Sequence, residues 1–195
     1  MGIVLFLTLF VIIMSLFVYG EHFSNDVEYM QSSIDNMYYL VRNLPDKQQA
    51  ADLLSQVNIR VKQLLQHLRS KYNNEPVVNQ LLRNYNEHQL SENSTNSQLT
   101  SYSINKGEKI ILCLRHRNNK NHALMDINTV MFVIIHELSH LCTKSIGHTN
   151  EFWHNMKFLL KEAISINIYS YVAYHKSPQQ YCGTLITDTP YKLDS

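Results

Sequence analysis

His136-Glu137-Leu138-Ser139-His140 lies in an apolar run that opens with Val130-Met131-Phe132-Val133-Ile134-Ile135 and continues through Leu141. Such a run reads as a helix buried on all sides. Residues four apart share a helix face, so His136 and His140 can turn their imidazoles toward one metal ion. Burying two imidazoles and a carboxylate is costly unless something satisfies them, and a metal does. Glu137 falls beside that ion rather than on it, where a carboxylate can act as general base toward water. The stretch therefore predicts a central helix and a zinc-dependent hydrolase, a peptidase first of all. The plainer alternative is a satisfied pair of core histidines with Glu137 on a solvated rim.

Gly147-His148-Thr149-Asn150-Glu151-Phe152-Trp153 follows the motif. Glycine suits the left-handed cap of a helix, so a stop at Ile146-Gly147 is expected, with the chain turning to bring His148 back as third ligand. Glu151, three residues after His148, and Glu162, twenty-two residues past His140, are rival third ligands. His148 is preferred, because Phe152 and Trp153 can bury themselves and pin its turn, and a loop ligand needs such ordering. Glu162 stands beside Lys161, where a solvated helix face would put a carboxylate. Three neutral imidazoles would leave zinc one open position.

The H-E-L-S-H run with the later G-H-T-N-E-F-W resembles the signature of the WLM and SprT-like zinc metallopeptidases, WLM more closely. The resemblance covers roughly residues 100 to 165. It implies His136, His140 and His148 as ligands of one Zn2+ ion, Glu137 as the catalytic acid/base, and a protein or peptide substrate. It also implies an α+β fold: a mainly helical, zincin-like core with a small sheet or hairpin packed on the motif helix. Seven residues separate His140 from His148, a longer linker than WLM members usually carry.

The first twenty residues add a different expectation. Ile3 to Tyr19 is uncharged and apolar apart from Thr8 and Ser15. Seventeen helical residues would reach about 25 Å, the short end of what crosses a bilayer core of about 30 Å. Residues 1–20 are thus expected to form a single-pass membrane anchor, or a signal segment removed on secretion. The acidic residues after it and the lone positive amino terminus favour a lumenal or extracellular catalytic domain. A formal charge of +1, with 17% charged residues, gives no electrostatic reason to expect nucleic acid. Three cysteines permit at most one internal disulfide and one free thiol, and Cys142 reads as a buried core residue. Asn93-Ser94-Thr95 is a glycosylation acceptor sequence. Arg115-His116-Arg117-Asn118-Asn119-Lys120 reads as a solvated basic loop.

Residues 21–90 are expected to be a helical region. Val27, Met30, Ile34, Met37, Val41 and Leu44 alternate at spacings of three and four, as on a helix. Leu54 to Leu68 continue the pattern toward Lys71, and a short helix starts at Pro76, where proline is harmless in a first turn. Residues 91–100, polar and small, read as a linker, and 101–195 as the zinc metallopeptidase-like domain. Within it Ser101–Ile104, Asn105–Glu108 and Lys109–Leu114 read as strand, turn and strand, Asn105 and Gly107 suiting a tight hairpin. The resemblance suggests Lys109–Leu114 or its neighbour as the edge that holds extended substrate. Glu151 to Ile168 has helical spacing. Tyr169, Tyr171, Tyr174, His154 and His175 are candidate oxyanion donors, although each reads more naturally as a packing residue. Two other functions stay open: a non-catalytic, zinc-stabilised membrane scaffold that binds a partner, and a DNA-associated protease acting on proteins.

Overall fold

The computed structural model describes residues 6–15, 26–88, 90–117 and 122–192. Its centre is the motif helix. In chain order the elements are α1 (residues 6–15), β1 (Val27–Gln31), β2 (Tyr38–Arg42), α2 (Lys47–Lys71), α3 (Pro76–Asn84) and β3 (Leu90–Glu92). Then come β4 (Tyr102–Ile104), β5 (Lys109–Leu112), α4 (Ile127–Cys142), α5 (Asn150–Ser165), β6 (Gln179–Tyr181) and β7 (Thr184–Ile186). Five strands form one sheet in the order β1-β2-β3-β5-β4, with β6 and β7 a separate hairpin. β1–β2 and β4–β5 pair antiparallel, and β3 joins β2 and β5 in parallel. The α+β class expected from the resemblance holds.

α4 is the core around which the rest is laid. Val130, Met131, Ile134, Ile135, Leu138 and Leu141 are wholly buried, each contributing on the order of 1.5–3 kcal/mol of apolar burial. The helix touches α2, α3, α5, β4 and β5. That is why its sequence is apolar all round rather than striped. Asp126 caps its first turn by accepting from the Thr129 amide, satisfying one of the orphan donors of a helix start.

Several sequence expectations are corrected. Among the described residues no helix is long and apolar enough to cross a membrane. Of the apolar N-terminal stretch, residues 6–15 are described and helical. The expected single-pass anchor over residues 3–19, and the membrane localisation drawn from it, are therefore not upheld. Residues 3–5 and 16–19 of that stretch lie outside the described residues.

Residues 27–44 form the hairpin β1–β2 instead of a helix. The apolar spacing straddles a turn: Ser32, Ser33, Asp35 and Asn36 interrupt it, and Asn36 takes a left-handed φ of 60°. Asp52 of α2 accepts from the Ser32 hydroxyl and from the Ser33 amide and hydroxyl. Short polar residues that bond locally favour turns over helices. The helix expected through Leu54–Leu68 and the short one from Pro76 are present as α2 and α3.

The polar stretch after residue 90 begins as the inner strand β3, with Glu92 and Asn93 buried. The Asn93 amide donates to the Leu99 and Thr100 carbonyls. As a buried donor it is no glycosylation acceptor in this fold. Arg115 is likewise buried rather than solvated. Its Nε lies 2.7 Å from Glu92 Oε1 and its Nη1 2.6 Å from Asp46 Oδ2. Glu92 Oε2 accepts from the Arg42 amide, and the Arg42 guanidinium bonds the Asn93 backbone and side chain. This buried ionic cluster ties β2, β3 and the end of β5 together where β2 and β3 share a single paired register, Leu40 with Ser91.

Cys113, just after β5, is disulfide-bonded to Cys182 between β6 and β7. The bond ties the C-terminal hairpin to the main sheet. Cys142 is a free, buried thiol, which burial pushes up to about 12.

Candidate metal centre

α4 presents His136 and His140 one turn apart, and the chain then leaves the helix sooner than expected, at Thr143 rather than Ile146. The released carbonyls of its last turn are taken up by side chains from elsewhere. Asn84 and Gln80 donate to the Leu141 carbonyl, and Lys106 Nζ to those of Thr143 and Lys144. Lys106 belongs to the β4–β5 turn, where Asn105, Lys106 and Gly107 all take positive φ. A Cβ on Gly107 would come within 2.3 Å of the Asn84 carbonyl oxygen, so this turn needs glycine for space as well as for conformation.

The loop from Thr143 to Thr149 carries His148 back over the helix. Gly147, with φ +83°, makes the reversal. The Glu151 carboxylate accepts from the amides of Lys144 and Ser145 and from the Ser145 hydroxyl. Thr149 caps α5, and its hydroxyl lies 2.7 Å from that of Ser145. Glu151, a rival ligand by sequence, is thus spent on shaping the loop.

The three imidazoles meet. Their ring centroids stand 4.9 to 5.0 Å apart, and His148 Nε2 lies 3.0 Å from His136 Nε2. One nitrogen from each lies within 4.8 Å of the others. Phe152 packs beneath all three at 4.4 to 4.9 Å, and Trp153 stacks on His148 at 5.5 Å. Phe152 is fully buried as expected, but Trp153 keeps 42% of its surface exposed. Burial, reinforced by the neighbouring imidazoles, pushes His136 down to about 3 and His140 down to about 4. These rings therefore stay neutral and offer lone pairs. Neutral nitrogens crowded this closely fit a tetrahedral divalent cation with metal–nitrogen bonds of about 2.0–2.1 Å.

Glu137 faces the same cleft, only 4% exposed, and burial pushes its carboxyl up to about 7. The cleft, about 720 Å³, is lined on one side by Ser101, Tyr102 and Ser103 along β4 and on the other by the Ser145–His148 loop. β5 lies between β3 and β4, so β4, like β1 at the far end, is an edge strand of this sheet.

Glu162 belongs elsewhere. It is 1% exposed, not solvated, and its carboxylate meets His67 and Lys71 of α2 and Tyr72 just after it at 2.7, 3.0 and 2.8 Å. Burial alone would raise its pKa, but these hydrogen bonds outweigh burial and hold it below the usual carboxylate value.

The tyrosines proposed as oxyanion donors are also displaced. Tyr169 and Tyr174 are buried behind Phe132, Tyr171 packs toward Tyr191, and His154 and His175 point to solvent. The hydroxyl that sequence reading missed is Tyr181. It lines the cleft, bonds the Ser101 hydroxyl, and is held protonated mainly by burial. Its place depends on the disulfide-linked hairpin, a long-range arrangement with no local signal.

An imidazole triad with a carboxylate beside it, set in an α+β fold, defines a metallopeptidase-like protein. Comparison with known proteins agrees. The WLM domain family model matches residues 33–190. An uncharacterized protein of Acanthamoeba polyphaga mimivirus is 35% identical over 184 residues, 92% of each chain. One from Invertebrate iridescent virus 6 is 36% identical over 69 residues, covering 35% of this chain and 38% of that one. A crystal structure of a Wss1 mutant from Saccharomyces cerevisiae superposes with a TM-score of 0.51 at 19% identity, covering 66% of this chain and 89% of that one. This last likeness is one of fold. The chain belongs to the WLM family.

Proposed function

We propose that this protein is a zinc-dependent peptidase in which His136, His140 and His148 hold one zinc ion and Glu137 is the catalytic acid/base. The observation that carries the reading is the convergence of three imidazole nitrogens within 4.8 Å at the base of an open cleft that Glu137 also lines. When bound, zinc would polarise a peptide carbonyl and acidify water at its open position. Glu137 takes a proton from the attacking water and returns it to the leaving amine. The exposed edge of β4 aligns an extended substrate by main-chain pairing, a common mode of peptide recognition. Of the two strands that the sequence offered for this role, Lys109–Leu114 and its neighbour, this is the neighbour, since β5 is paired on both sides. Tyr181, which lines the cleft beside Ser101, supports a role as donor to the oxygen that gains charge in the transition state.

A purely structural zinc site would use four protein ligands and would have no work for a buried carboxylate at an open cleft. The test is hydrolysis of an unfolded protein, such as denatured casein, by the zinc-loaded full chain. Chelation is expected to abolish cleavage and zinc to restore it. Hydrolysis indifferent to chelation, or none by the loaded protein, would overturn the proposal.

A further inference from the structure

A second cavity adjoins the histidine cluster. It measures about 340 Å³ and is lined by Phe132, His136, Trp153, Met156, Asp188, Thr189 and Pro190. This is near the low end of the range for ligand pockets, about 300–1,000 Å³, and gives room for one large side chain. Phe132 and His136 also line the main cleft, so the cavity opens beside the reacting centre. Its walls come from three parts of the chain: α4, α5 and the segment after β7. Phe132 is fixed from behind by Tyr174 and Tyr169. Trp153, the single tryptophan of the chain, stacks on His148 yet leaves 42% of its surface open. Half-open aromatic walls over a buried methionine suit an apolar occupant.

We infer that this cavity is a specificity pocket that receives a large apolar side chain, such as phenylalanine, leucine or methionine, from the substrate residue flanking the scissile bond on one side. The inference rests on the peptidase reading above. Asp188 supplies the discrimination. Its carboxylate accepts from the Thr189 amide at 2.8 Å and sits at the exposed rim, 4.0 Å from Lys192 Nζ. An acidic substrate side chain entering there meets the Asp188 carboxylate at the rim and loses its hydration against apolar walls. Continuity with the main cleft fixes the occupant: a chain lying along β4 with its scissile bond at the histidines has a neighbouring side chain within reach of this opening.

Two readouts on the zinc-loaded full chain test this. In a peptide library, residues flanking the cleaved bond should show phenylalanine, leucine or methionine favoured over glutamate by at least about tenfold on one side, in line with pocket discrimination by apolar contacts. Asp188→Asn, a change at an exposed side chain, should narrow that ratio severalfold. Independently of turnover, emission from Trp153 should respond saturably to N-acetyl-phenylalanine amide and not to N-acetyl-glutamate amide. Cleavage with no apolar preference on either side would overturn the inference. So would a preference for lysine or arginine that Asp188→Asn removes, because the carboxylate would then be the anchor. Absence of any cleavage together with the selective Trp153 response would defeat the peptidase reading and keep the pocket. Absence of both would defeat both.

Discussion

Glu137→Gln is expected to bind zinc as the native chain does and to lose nearly all hydrolytic activity, with kcat falling by about 10²–10⁴, the usual contribution of a general acid–base group. The substitution keeps the shape of the side chain within a helix whose neighbours are fully buried, so the fold and the imidazole triad should persist. What disappears is the group proposed to accept a proton from water. Zinc retention is expected because the three converging nitrogens come from His136, His140 and His148. The measurement is kcat on an unfolded protein beside metal content on the same preparation. Turnover within about tenfold of the native chain, below the general acid–base range, would remove Glu137 from the mechanism. Loss of zinc together with activity would make it part of the metal site instead.

The largest expected effect on stability lies away from the cleft, at Glu92. Its side chain is wholly buried and faces two guanidinium groups: Arg115 Nε at 2.7 Å and Arg42 Nε at 3.8 Å. Glu92→Ala would leave the Arg42 guanidinium without its carboxylate, Arg115 with Asp46 alone, and the Arg42 amide without its acceptor. Breaking a buried pair from one side typically costs about 3–5 kcal/mol, because the remaining charge stays desolvated. Against a total stability of about 5–15 kcal/mol, that removes about a fifth of it or more. Urea denaturation of the two proteins should show the difference. A loss below about 1 kcal/mol, the scale of an exposed pair, would mean that water reaches this cluster.

The parts of the structure legible in the sequence are those governed by local spacing. His136 and His140 are four residues apart in a helix, and no distant contact is needed to place them on one face. The α2 stripe and the proline at the start of α3 are local in the same sense. So is the β4–β5 hairpin, although Lys106 joins Asn105 and Gly107 in positive φ. The misread parts each depend on partners far along the chain. Val27, Met30, Ile34, Met37 and Val41 satisfy a helical spacing, but the turn at Asp35-Asn36 and pairing with β3 decide for strands. Arg115 sits in a run that reads as a solvated basic loop, yet its partners are Glu92, 23 residues away, and Asp46, 69 away. Glu162 looked solvated beside Lys161 because its three partners lie more than 80 residues upstream. Tyr181 reaches the cleft on the hairpin whose Cys182 bonds Cys113, 69 residues before it.

The proposed metal centre is tested most directly by zinc affinity, measured by competition with a chromogenic chelator on the native chain, His148→Ala and Glu162→Gln. His148 reaches the site on a loop held by Glu151, Gly147 and the Trp153 stack, and it supplies one of the three nitrogens. Its removal should weaken zinc binding by about two orders of magnitude or more. Glu162, engaged by His67, Lys71 and Tyr72, should leave affinity unchanged when replaced. Native-like affinity in His148→Ala with loss in Glu162→Gln would contradict the account and assign the third ligand to a carboxylate on α5.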